Sequence, residues 1–260
     1  MKKILALVLT LALVAVLGTA SAATKLVIGA SSTPHAEILE AAKPLLEEKG
    51  IELEIVIFDD YVQPNLQLES GDLDANYFQH IPYLNDFNAQ NGTHLVSAGA
   101  VHYEPMGIYG GKSKDLANIP DGATIAVPND TTNEARALAL LQAQGIIKLS
   151  ETAGETATAL DIVENPHKVE IVEVEAAQVS RQLADVDFGV INSNYALQAG
   201  ADVVGQALAV EGTDVSFPNI VAIREGDDRE ELKTLVEVLQ SDAIVTFIKD
   251  TYGTAVVPTK

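Results

Sequence analysis

The chain has 260 residues, no cysteine, no tryptophan and a formal charge of −21 at pH 7. Without cysteine there can be no disulfide, no thiolate nucleophile, no cysteine-ligated metal and no cysteine-linked lipid anchor. So large an acidic excess repels nucleic acid and anionic lipid, and neither is expected as a partner.

The first 22 residues, MKKILALVLTLALVAVLGTASA, combine two lysines, an apolar run from Ile4 to Leu17 and an A-x-A site at Ala20, Ser21 and Ala22. That is the pattern of a secretory signal peptide cleaved near Ala22. An uncleaved anchor is the alternative, but the run falls short of the roughly 20 residues a membrane span needs. The protein is therefore expected to be exported, into a periplasm. Cleavage removes Lys2 and Lys3 and no acid, leaving a still more acidic chain. The remaining residues suffice for one large domain or two lobes.

The mature part opens with KLVIGAS (25–31), a β-branched apolar run that predicts a strand. Ile38, Leu39, Ala42, Leu45 and Leu46 then recur at helical spacing, and Gly50 stands where a helix stops. ELEIVIF (52–58) alternates like a strand. A β-α-β unit of this kind makes its two strands parallel neighbours. Helices are predicted over 63–69 and 81–90, with a strand over 73–78 between them. The stretch 94–110 is long, apolar and broken by Pro105. Further strands are predicted over 123–130, 168–176 and 219–226, with helices over 132–144 and 176–185. Residues 186–196 read as a strand and turn. Residues 228–253 read as a helix in two pieces divided near Ser241 and Asp242, with Asp227 or Asp228 as its N-cap.

Strands alternating with helices predict an α/β fold with parallel sheets. The pattern is compatible with one doubly wound sheet or with two lobes. In the second case, 96–109 and 213–222 read as extended crossings.

Catalytic signatures are missing. The five histidines, His35, His80, His94, His102 and His167, include no H-x-x-x-H or H-E-x-x-H pair. GIYGGKS (107–113) has the ending of a P-loop but Met106 where the loop needs glycine, so it reads as a turn. No G-x-S-x-G or S-x-x-K occurs. No enzyme activity, metal or cofactor is expected.

Polar groups do cluster at three predicted strand ends, where α/β folds bind ligands. These are DANYFQH (74–80), AVPNDTTNEAR (126–136) and VDFGVINSNYA (186–196). Singly, each has an ordinary reading: ring packing, a solvated arginine, a capping asparagine. Together they suit a free amino acid. Arg136 can clamp a carboxylate bidentately at a helix start. Asparagine oxygens accept from an ammonium, and rings enclose a side chain, a thioether included.

The run STPHAEILEAAKPLLEEKGIELEIVIFDDYVQPNLQLESGDLDANYFQHIPYL (32–84) resembles the N-terminal half of the NlpA/MetQ-type methionine-binding lipoproteins, which serve ABC importers. VPND-x-TN-x-x-R (127–136), DFGVIN (187–192) and FPNIVAIRE (217–225) follow in the family's order. The resemblance implies a type II, two-lobed periplasmic binding protein: two parallel or mixed sheets flanked by helices and joined by two crossover strands. Lobe I would comprise 23–105 and 220–260, and lobe II 106–219. The implied ligand is L- or D-methionine in the interlobe cleft; the alternatives are a methionine-containing dipeptide or another small apolar amino acid. The implied partners are the permease and ATPase subunits of an importer, with the binding protein itself a monomer. Carried onto this chain, Arg136 would hold the carboxylate, and Asn192 and Asn219 the polar head, with Asn133 beside them. Tyr77, Phe78 and His80 would wall the side-chain pocket, with Tyr103 in the first crossing as a further candidate. Two departures from the family pattern stand out. The usual anchoring cysteine is absent, so the protein is expected free in the periplasm or held by its signal. Glu134 replaces a small or apolar residue beside the pocket and is expected to shift ligand preference.

Overall fold

The structure, a computed structural model, describes residues 23–201, 205–212 and 217–260. The expected signal peptide lies outside them, as do 213–216 of the expected second crossing. The β-branched runs of Thr24–Ser31 (β1) and Ile51–Phe58 (β2) pair in parallel, with Glu37–Glu47 (α1) as the crossover. Gln63–Ser70 (α2) then leads into Ala75–His80 (β3), which pairs in parallel with β1 on its other side. Ile81–Asn91 (α3) follows directly, with His80 as its N-cap.

The long apolar stretch beginning at 94 divides between two sheets. Leu95–Tyr103 (β4) stays with the first, and Gly107–Gly110 (β5) opens the second. The crossing between them is only Glu104, Pro105 and Met106, shorter than the sequence suggests. The second sheet adds Thr124–Pro128 (β6), followed by Thr131–Ala143 (α4). Lys148–Leu149 (β7) and Ile162–Glu164 (β8) form a separate antiparallel pair. Glu170–Val174 (β9) and Ala176–Gln182 (α5) come next. Phe188–Ile191 (β10) follows, and Ser193–Gln198 (α6) is a short helix where a turn is predicted. Ala209–Val210 (β11) ends the second sheet.

The chain then returns to the first sheet. Pro218–Arg224 (β12) inserts antiparallel between β3 and β4. Glu230–Leu239 (α7), Asp242–Tyr252 (α8) and Val257–Pro258 (β13) complete it. The helical stretch divides at Ser241, as predicted. Its start differs: Arg229 is the N-cap and no side chain caps the helix. Asp227 instead grips Arg229 at 2.6 Å and faces Arg224 at 3.4 Å, so its carboxylate is not available for capping.

The strand orders are β13-β4-β12-β3-β1-β2 and β11-β5-β10-β6-β9. Both sheets are mixed, and each is covered by helices on its two faces. On the first sheet, Ile38, Leu39, Ala42 and Leu46 of α1 pack with Leu232 and Leu235 of α7 and Ile244 and Ile248 of α8. In the second, Ile125 and Val127 of β6 and Phe188 and Val190 of β10 pack against Leu138 and Leu141 of α4. Each such side chain, fully buried, contributes about 1.5–3 kcal/mol.

GIYGGKS is strand β5 and the bend after it, as its lack of a P-loop glycine implies. Gly111 is there for space: a Cβ would lie 2.2 Å from the Val186 carbonyl and 2.4 Å from that of Leu183.

Candidate functional site

The ends of β3, β6 and β10, the first crossing and the start of β12 converge between the two sheets. They enclose a cavity. Its walls are Tyr61, Phe78, Gln79, His80, Tyr83, Glu104, Asn133, Arg136, Asn192, Ser193, Asn194 and Asn219.

β3 is buried on both faces, which explains its unusual sequence. Opposite β12, Ile220 pairs with Gln79 and Val221 with Tyr77, leaving Phe78 as an extra, unpaired residue. Such a bulge re-aims side chains. Phe78 thereby faces the cavity, while Tyr77 packs behind it into the core. The amides of the strand are satisfied by one another and by Asn65 of α2. Asn76 donates to Asn65 at 2.8 Å, and Gln79 to Asn65 at 2.7 Å and Asn76 at 2.9 Å. Aromatic groups then build one wall: Tyr61 stacks against Phe78 at 5.7 Å, Tyr83 at 5.8 Å and Tyr195 at 4.9 Å.

Behind the opposite end runs a chain of buried polar groups. Tyr77 donates its hydroxyl to Nδ1 of His102. His102 Nε2 lies 2.7 Å from Glu104 Oε1. His35 Nε2 lies 3.3 Å from the same oxygen and 2.9 Å from Asn219 Oδ1. These partners fix the tautomers. Both Nε2 atoms face only acceptors and so carry the hydrogen, leaving Nδ1 of His102 free to accept from Tyr77. His80 obeys the same rule: Nδ1 accepts from Tyr83 N at 3.1 Å, and Nε2 faces Asn133 Oδ1 at 3.3 Å. Burial holds the three imidazoles neutral, at about 4 for His35 and about 3 for His80 and His102. Burial raises the Glu104 carboxyl, against the opposing charge of Arg136.

The second-sheet wall is built on helix starts. Asp130 caps α4 by accepting from Asn133 N at 3.0 Å. Asn133 Oδ1 in turn accepts from Asn192 Nδ2 at 2.9 Å. Asn194 Oδ1 accepts from Tyr61 across the cleft at 2.6 Å. Asn192 Oδ1 and Asn194 Nδ2 are buried without a partner among the described residues.

Of the eight residues singled out in the sequence, Phe78, His80, Asn133, Arg136, Asn192 and Asn219 line the cavity. Tyr77 and Tyr103 do not. Tyr77 is fully buried one layer back, and Tyr103 is tied to Glu211 at 2.9 Å and to the Gly212 carbonyl at 2.9 Å. Arg136 also departs from the bidentate grip expected of it. Its Nε and Nη2 are taken by Glu211, at 2.8 and 2.5 Å, so only Nη1 is without a hydrogen bond among the described residues. Glu134 turns away from the cavity, its Oε1 accepting from Ala159 N at 3.0 Å. Sequence reading missed Tyr61, Gln79, Tyr83, Glu104, Ser193 and Asn194. Glu104 had a signal: a carboxylate between two apolar strands, next to Pro105, in a segment predicted to cross between lobes.

His35, His102 and Glu104 are also the one His/Asp/Glu cluster among the described residues compact enough to suggest a metal. Three of its four nitrogens are engaged by Tyr77, Glu104 and Asn219, and His35 Nδ1 is without a hydrogen-bond partner among the described residues. No helix among the described residues is long and apolar enough to cross a membrane.

A sequence profile described as NlpA lipoprotein matches residues 26–260. The methionine-binding lipoprotein MetQ of Bacillus subtilis is 42% identical over 93% of this chain and 90% of its own length. A nutrient-binding protein from Burkholderia cenocepacia, solved bound to methionine, is 44% identical with a TM-score of 0.88, covering 90% of this chain and all of that one. An ABC-transporter periplasmic substrate-binding protein from Coxiella burnetii is 41% identical with a TM-score of 0.86, over 90% of this chain and all of its own. The fold is the two-lobed fold of periplasmic binding proteins, and the chain belongs to the NlpA lipoprotein family.

Proposed function

We propose that this protein is the substrate-binding component of an ABC importer and that it holds methionine in the cavity between its sheets. The carrying observation is the match between that cavity and a zwitterion with an apolar tail. A buried carboxylate, Glu104, and an unpartnered amide oxygen, Asn192 Oδ1, suit an ammonium. Arg136 Nη1 and the unpartnered Asn194 Nδ2 suit a carboxylate. Phe78, Tyr61 and Tyr83 suit a thioether, each ring contact adding about 0.3–1.5 kcal/mol. No nucleophile with an activating base faces the cavity among the described residues, which supports binding over turnover.

In this reading lobe I is 23–105 with 220–260 and lobe II is 106–219, the second bound cutting into β12. The mature protein works as a monomer in the periplasm, presenting its closed form to permease and ATPase subunits. One observation favours the dipeptide alternative. An outer hollow, lined by Asp60, Asp130 and Glu175, shares Tyr61 and Tyr83 with the cavity and could take a second residue. The test is mass spectrometry of protein isolated gently, followed by calorimetry with L-methionine, D-methionine and methionine dipeptides. Near-equimolar free methionine, or tight binding of either enantiomer, supports the proposal. Binding of dipeptides alone redirects the substrate, and no binding of any of them overturns it.

A further inference from the structure

Arg136 spends most of its donors inside the protein. Nε reaches both oxygens of Glu211, at 2.8 and 3.0 Å. Nη2 reaches Glu211 Oε2 at 2.5 Å and the Glu104 carbonyl at 2.6 Å. The same Oε2 accepts from Tyr103 OH at 2.9 Å and from Met106 N at 3.0 Å. Phe217 lies against the guanidinium at 4.8 Å from its ring centroid, and Tyr103 at 5.9 Å.

These partners share an address. Glu104 and Met106 belong to the first crossing between the sheets, with Tyr103 next to it at the end of β4, and Glu211 and Phe217 border the second. A guanidinium carried by α4 is thus fixed by both crossings at once. The residue is 6% exposed and lines the cavity, and Nη1 alone is left without a hydrogen bond among the described residues.

We propose that Glu211 is the positioning residue of this site. It takes the Nε edge of Arg136 and turns the guanidinium so that one donor, Nη1, meets the ligand carboxylate. Two physical effects act together. Geometrically, the bidentate edge that arginine otherwise offers a carboxylate is already occupied. Electrostatically, the Glu211 charge repels a second carboxylate from that edge and steers it to the other side. Because Glu211 and Phe217 sit at a crossing, the carboxylate is recognised only where the crossings have brought these groups onto Arg136. Carboxylate recognition and the closed arrangement of the sheets are therefore one condition. This inference rests on the amino-acid reading above, and its test has an arm that does not.

The ligand-independent arm uses protein labelled with ¹⁵N-arginine. The chain has four arginines, Arg136, Arg181, Arg224 and Arg229, so Arg136→Lys identifies the Arg136 signal by its disappearance. The expected result is a slowly exchanging Arg136 Nε–H in the native protein that is lost in Glu211→Gln while circular dichroism is unchanged. A signal that survives Glu211→Gln, or that exchanges freely in the native protein, overturns the proposal. Glu211→Asp keeps the charge but shortens the reach; it guards against a variant that fails to fold and should show intermediate exchange. The binding arm compares methionine with methioninamide, which lacks the carboxylate. Glu211→Gln should weaken methionine by about 10- to 100-fold and methioninamide by less than about threefold. Equal losses would make Glu211 merely structural and overturn the proposal, as would no loss or a gain for methionine. If the native protein binds neither compound, the methionine reading fails and the exchange arm alone decides on Glu211; it also decides if only methioninamide fails to bind.

Discussion

The two walls of the cavity are built on opposite plans. On the first-sheet wall the polar groups are bonded mainly to one another: Tyr77 to His102, His102 and His35 to Glu104, His35 to Asn219, and His80 to Tyr83, with His35 Nδ1 the exception. On the second-sheet wall, Asn192 Oδ1, Asn194 Nδ2 and Arg136 Nη1 are left without hydrogen bonds among the described residues. A wall whose bonds are already made keeps its shape whether or not a ligand is present. A wall with buried unmatched atoms is held at a cost, which a ligand removes by supplying the missing partners. The difference teaches that rigidity and affinity are lodged on different sides, with Glu104 on the crossing as the group belonging to both.

The largest effect should come from Arg136→Ala. It strips the second wall of its cation, leaves Glu211 without its counter-charge and removes a donor from the Glu104 carbonyl. Breaking a buried pair costs about 3–5 kcal/mol, and the partial exposure of Glu211, 17%, places this one near the low end. Calorimetry should show methionine binding weakened more than about 100-fold, and thermal melts should show a clear loss of stability. Normal binding would break the assignment of the carboxylate to that wall.

Acid should attack the first wall alone. His35, His80 and His102 stay neutral in the folded state down to about 4, 3 and 3, whereas an unfolded histidine takes a proton near 6.5. The unfolded chain then binds more protons, so stability present above about 6.5 is lost as pH falls towards 4, by at most about 1.4 kcal/mol per histidine per pH unit. Glu104, raised by burial, takes up its proton in the folded state first and blunts the loss at the acid end. A lower urea midpoint at pH 5 than at pH 7.5 is expected, and equal midpoints would contradict the neutral tautomers.

Glu104→Gln separates the walls most cleanly. Binding of a free amino acid should weaken about 10- to 100-fold, the value of a charge-assisted hydrogen bond. Stability should hold or rise, because a neutral amide escapes the desolvation that raises this carboxyl. Asn192→Ala should weaken binding by about tenfold, as an ordinary hydrogen bond would. Tyr77→Phe should leave methionine affinity within about twofold while lowering stability by about 1 kcal/mol, since its hydroxyl serves His102 and not the cavity. A large loss of affinity in Tyr77→Phe would return that ring to the site.

Much of this was legible in the sequence. The β-α-β opening, the helix divided at Ser241 and the three polar strand ends all follow from local periodicity and from where α/β folds keep their ligands. What was not legible depends on pairing between distant segments. The bulge that sends Phe78 into the cavity and Tyr77 behind it is set by β12, more than a hundred residues downstream. The Glu211 partner of Arg136 lies 75 residues away, and no spacing rule connects them. Glu104 stands out by its place between two apolar strands, but nothing local says that His35 and His102 will meet on it. Asp227 as a helix cap failed for the same reason: an arginine two residues on competes for its carboxylate more strongly than a backbone N–H.

The place of β12 has a consequence for how the chain reaches this state. The described strands of the second sheet all lie between Gly107 and Val210, with no strand of the first interposed. The first sheet has its centre filled by a strand that emerges after all of those. During synthesis, β1, β2 and β3 must wait with the edge of β3 unpaired until residues 218–224 arrive, while the second sheet can already close. The N-terminal lobe therefore starts first and finishes last, and its open edge is the stretch most exposed to mispairing on the way to the native fold.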